Sequence, residues 1–116
     1  MTEIPTATSP ICDFCSSREV VWRYPCESFG ITAIFMRTDG QTMEFPWASA
    51  GDWAACDTCA LLIEQEKWQS LAERSFNTST ALKQMQNALL VKGEVVKAIL
   101  KLHAQFRKRK GERVML

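Results

Sequence analysis

A chain of 116 residues that is 47% hydrophobic and 23% charged has the length and composition of one ordinary globular domain, which excludes a wholly disordered protein. Its net charge of +1 conceals a division: residues 1–75 hold 5 Lys/Arg against 11 Asp/Glu, and residues 76–116 hold 9 against 2, so the halves either have different electrostatic roles or neutralise each other on folding. Glu3 and Asp13 near the start, with no long apolar stretch, argue against a secretory signal or membrane span and for a cytoplasmic protein, where structural disulfides are disfavoured.

Residues 1–10, with Thr2, Pro5, Thr6, Thr8, Ser9 and Pro10, have no periodic apolar face and read as a flexible lead-in. Cys12-Asp13-Phe14-Cys15 then forms a turn feeding a strand over 19–24, whose residues are mostly β-branched or aromatic and which Pro25 limits. A second apolar run over 30–36 and a third segment over 42–47 flank the Asp39-Gly40 turn signal, predicting a hairpin with Pro46 at its edge or end. Residues 48–52 are a loop. From Cys56 the period becomes helical, with Leu61, Leu62, Gln65, Trp68, Leu71 and Ala72 recurring at three- and four-residue steps and Asp57 or Thr58 as the cap.

Capping residues cluster over 76–80, and a further helical segment over about 78–111 carries Leu82, Met85, Leu89, Val96, Ile99 and Phe106 along one seam. Gly93 weakens its middle by about 1 kcal/mol relative to Ala, so one long helix and two shorter ones are both compatible with the pattern.

Four of the five cysteines form two Cys-x2-Cys pairs forty residues apart: Cys12 and Cys15, then Cys56 and Cys59. A two-residue spacer folds the chain into a knuckle that brings both sulfurs to one ion, and four thiolates complete a tetrahedral zinc shell. A thioredoxin-like pair would follow a strand, whereas Cys12 and Cys15 precede one. Iron suits the same four sulfurs, so one structural Zn2+ is the leading assignment with iron open. Knuckle, hairpin and a helix carrying the second pair in its first turn resembles the treble-clef zinc finger over residues 12–75, with these four cysteines at its ligand positions. The stretches Cys12-Asp13-Phe14-Cys15, Val21-Trp22-Arg23-Tyr24-Pro25 and Trp53-Ala54-Ala55-Cys56-Asp57-Thr58-Cys59 also look like those of short, poorly characterised bacterial proteins of this kind. That likeness implies a fold and no activity.

Cys26 reads as a small buried hydrophobe, and His103 as a surface or helix-seam residue, since four cysteines already close the shell. Trp22, Trp47, Trp53 and Trp68 are expected to build the small core that the metal alone cannot supply. Arg107, Lys108, Arg109 and Lys110 are candidate phosphate-binding residues. One histidine, no acid–base pair at informative spacing and no glycine-rich phosphate loop give no catalytic constellation, so no enzyme is expected.

The expected architecture is α+β: a treble-clef-like zinc module over 11–75 and a basic helical extension over 76–116. The expected role is a protein-interaction or adaptor module. Its partner, another protein or a second copy, would cover the seam of Leu82, Met85, Leu89, Val96, Ile99 and Phe106, with the zinc module itself as the other surface able to bury it. The alternative is nucleic-acid binding through the basic C-terminal helix.

Overall fold

Strand β1 (Val20–Tyr24) is the centre of a three-stranded antiparallel sheet in the order β4-β1-β5, where β4 is Trp53–Cys56 and β5 is Val114–Met115. The computed structural model describes residues 11–78 and 92–116, apart from the side chains of Phe35 and Phe45. Leu82, Met85 and Leu89 therefore lie outside the described residues. Tyr24 pairs with Trp53 and Val20 with Cys56, and the register slips between Val20 and Trp22. On the other side of β1, Trp22 pairs with Met115 and Arg23 with Val114. Residues 53–56, of which 53–55 have no expected element, form a strand because β1 lies alongside to share their backbone hydrogen bonds.

The hairpin joins β2 (Phe29–Met36) to β3 (Thr42–Ser49) without a register slip, from Phe29↔Ser49 to Met36↔Thr42. At the turn the Gly40 amide donates to the Arg37 carbonyl (3.1 Å), and Gly40 takes φ +87°, a conformation closed to most side chains. The Asp39 carboxylate accepts from the Gln41 amide at 3.0 Å. Pro46 sits within β3 opposite Thr32, which a two-stranded ribbon tolerates because each strand is an edge. One face packs inward through Ala33, Met43 and Trp47, and the other leaves Thr32, Ile34, Met36, Glu44 and Pro46 exposed.

Helix α1 (Asp57–Glu64) and helix α2 (Trp68–Thr78) are separate, although the apolar period runs unbroken through 61–72. The Lys67 amide donates to the Leu62 carbonyl (2.9 Å) and the Glu66 amide to that of Ile63 (3.0 Å), the paired bonds of a Schellman stop. Glu66 occupies the left-handed position at φ +56°, which costs a non-glycine residue about 1–2 kcal/mol. Arg107 forms an ion pair with its carboxylate. A sequence signal for this stop would be glycine, and none is present.

Helix α3 (Lys92–Arg109) packs on α2 and β2 and joins two clusters of buried side chains. One holds Ala33, Ala72, Phe76, Val95, Val96, Ala98 and Ile99; the other surrounds the cysteines with Phe14, Tyr24, Trp53, Ala60, Ile63, Leu71 and Phe106. Phe106 is fully buried, its ring centroid 4.7 Å from that of Trp53, 5.3 Å from Phe14 and 5.6 Å from Tyr24. Val96, Ile99 and Phe106 are thus covered by this same chain, which corrects the expectation that a partner covers them. They lie against the hairpin and the cysteine cluster because those elements present apolar faces of their own. Among the described residues, no helix is long and apolar enough to cross a membrane.

Candidate metal centre

The first knuckle is shaped by its backbone. The Cys12 amide donates to the Ser17 carbonyl (2.7 Å), the Ser16 amide to that of Cys12 (2.9 Å), and Ser16 turns the chain at φ +68°. Asp13 then ties the knuckle to β4: its amide donates to the Ala54 carbonyl (2.9 Å) and its carboxylate accepts from the Ala54 amide (2.6 Å). Cys56 and Cys59 sit two and five residues beyond that clamp.

The second pair is held by α1. Cys56, not Asp57 or Thr58, is the N-cap residue, and its Sγ accepts from the Cys59 amide at 3.5 Å. One sulfur thus caps the helix and belongs to the candidate metal-binding set. Asp57 instead accepts from the Trp22 indole N–H at 3.2 Å.

Together these elements place the sulfurs of Cys12, Cys15, Cys56 and Cys59 within 4.8 Å of one another, all four residues buried. Cys15 and Cys56 are 3.6 Å apart at sulfur. Tetrahedral zinc with bonds near 2.3 Å places its sulfurs about 3.8 Å apart, so the cluster fits the ion. All four are free thiols. The Cys59 thiol shares a hydrogen bond with Cys12 that, against burial, lowers Cys12 to about 5 and drives Cys59 well up, while burial raises Cys15. Four thiolates this close would need a cation among them, and a bound divalent ion would supply that charge.

Arg74, on α2, completes the surroundings, and the sequence reading passes over it. Its Nε donates to Cys59 Sγ at 3.3 Å, and its Nη2 lies 3.7 Å from Cys15 Sγ and 4.0 Å from Cys56 Sγ. The only hint in the sequence is that Arg74 is one of five cations in an acidic half.

The remaining candidates lie elsewhere. Cys26 is buried outside the cluster, where its amide donates to the Asp52 carboxylate (3.2 Å) and its thiol to the Glu27 carbonyl (3.4 Å). Cys26→Ala is expected to keep one metal per chain by native mass spectrometry and to lose about 1 kcal/mol of stability; loss of the metal from that variant would show the ligand set to be wrong. His103 is buried on the α3 seam, 5.2 Å from the Phe14 ring, and burial lowers it to about 4.

The basic run is partly engaged within the chain. Arg107 pairs with Glu66 and lies 5.6 Å from the Trp68 ring, Arg109 lies 5.3 Å from Phe29, and Lys110 lies 5.4 Å from Tyr24. Arg113 follows at 4.0 Å from Trp22. Lys108 is exposed, as are Lys97 and Lys101 on the same helix. The acidic and basic halves therefore meet in the folded chain, at least through Arg107 and Glu66. The chain matches no protein-family model, no curated protein and no solved structure.

Proposed function

We propose that this protein is a zinc-binding interaction module, treble-clef-like in arrangement, whose metal is structural and whose partner is another protein. The observation that carries this reading is the closed set of four buried sulfurs within 4.8 Å of one another. Such a set fills the shell of a tetrahedral ion and leaves no position for water or substrate, which favours a scaffold over an enzyme. Knuckle, hairpin and a helix capped by a ligand cysteine support the treble-clef likeness.

For the partner surface, the outer face of the β2–β3 hairpin has more to offer than the α3 seam, three of whose residues are internal. Ile34 and Met36 there are 60% and 51% exposed, beside Thr32 and Pro46 on a ribbon with open edges. Nucleic acid is the second reading. The feature that favours it is the set of exposed lysines Lys97, Lys101 and Lys108, which recur on one side of α3.

The test is native mass spectrometry under reducing conditions on the wild type and on Ile34→Lys/Met36→Lys, with binding measured for protein and for DNA or RNA. One zinc per chain in both, with a protein partner held by the wild type and lost by the variant, is the expected result. Salt-sensitive nucleic-acid binding that survives this variant and disappears on neutralising the three lysines would replace the adaptor reading.

A further inference from the structure

We propose that Arg74 governs the reactivity of the metal centre, as a guanidinium cap that shields the sulfurs of Cys59, Cys15 and Cys56 from electrophiles. The inference rests on the zinc reading and adds a named determinant to it. One side chain reaches three sulfurs that come from both knuckles, at 3.3, 3.7 and 4.0 Å. Among the described residues no carboxylate forms an ion pair with Arg74, while its neighbour Glu73 is held by Gln69 at 2.9 Å. The guanidinium is thus directed to sulfur.

A divalent ion bound by four thiolates retains excess negative charge, which makes its sulfurs nucleophilic. A planar donor fork lowers that charge by hydrogen bonding and by its own positive charge, and lysine, a point charge on a flexible stem, replaces it incompletely. Position adds a steric part. A shallow surface groove lined by Thr58, Leu62, Ser70 and Asn77 has Arg74 in its wall and none of the cysteines, so a reagent in that groove faces the guanidinium and no sulfur.

The experiment compares zinc-loaded wild type, Arg74→Lys and Arg74→Met. Each is treated with iodoacetamide while a chromophoric chelator reports zinc release. In each attack a sulfur forms a bond to the reagent's methylene carbon, iodide leaves, and the resulting thioether no longer holds the ion. Losing one to two charge-assisted hydrogen bonds predicts release about tenfold faster in Arg74→Met, with Arg74→Lys between it and the wild type. All three should hold one metal per chain. In the cobalt-substituted proteins the sulfur-to-metal charge-transfer band should move to lower energy in Arg74→Met, a signature that a merely structural role would not produce.

Equal release rates and unmoved bands in three metal-loaded proteins would overturn the inference and leave the zinc reading standing. A wild type that binds no metal would overturn both. If Arg74→Met does not fold, Arg74→Lys decides, and a rate equal to that of the wild type counts against the cap.

Discussion

Cys56→Ser and Cys59→Ser are expected to abolish metal binding and to unfold the cysteine-centred half of the protein. Cys56 has two structural tasks, as ligand and as N-cap of α1, and Cys59 is fully buried beneath Arg74. The cluster around them consists largely of side chains that touch the knuckles or α1, among them Phe14, Trp53, Ala60 and Ile63. Without an ion, four buried thiols replace a charged, fully satisfied centre. Structural zinc contributes about 10–16 kcal/mol in small finger peptides, and a domain has only about 5–15 kcal/mol of net stability to lose. Removing zinc from the wild type with a chelator should give the same result as either substitution. The measurement is near-UV circular dichroism alongside metal content: metal-free protein that keeps its near-UV spectrum and its melting temperature would sink the structural-zinc reading.

Phe106→Ala should lower stability by about 3–5 kcal/mol, the usual cost of truncating a buried aromatic residue. Its ring meets those of Trp53, Phe14, Tyr24 and, at 6.4 Å, Trp68, so truncation opens a cavity shared by the first knuckle, β1, β4 and α2. Neutralising Lys108 on the same helix should change stability by less than about 0.5 kcal/mol, because that side chain is exposed. Urea denaturation of the three proteins reads both effects, and a shift in midpoint without a change in slope identifies a stability effect. If Phe106→Ala costs under about 1 kcal/mol, α3 is not part of the metal-centred core, and an independent C-terminal extension becomes the better description.

The contrast between Phe106 and Lys108 also bears on how the two halves of the chain are joined. α3 contributes Val95, Val96 and Ile99 to one buried cluster and Phe106 to the other. Beyond it, the Gly111 amide donates to the Pro25 carbonyl at 2.7 Å and β5 adds to β1. The net positive charge of residues 76–116 therefore comes to rest partly on aromatic faces and on Glu66, where cation–π contacts contribute about 0.5–1 kcal/mol each at exposed positions.

Local spacing was enough to identify the four sulfurs, since a two-residue gap between cysteines forces a knuckle wherever it binds metal. It was also enough for β1, the hairpin and the start of α1, because Asp39-Gly40 and the change from alternating to helical period are signals carried within a few residues. The division at Glu66 was not legible: its left-handed turn is made by a residue with no preference for it, whose own carboxylate Arg107 meets from forty-one positions away. Strand β4 has no signal of its own between the expected loop over 48–52 and the helical period from Cys56, because four residues become a strand only when β1 lies alongside. The seam of Val96, Ile99 and Phe106 was visible as apolar, but periodicity reports which side of a helix avoids water and not which surface covers it. Arg74 was invisible for the same reason. A cation acquires its partner from the tertiary structure, and the sulfurs it meets lie fifteen, eighteen and fifty-nine residues away along the chain.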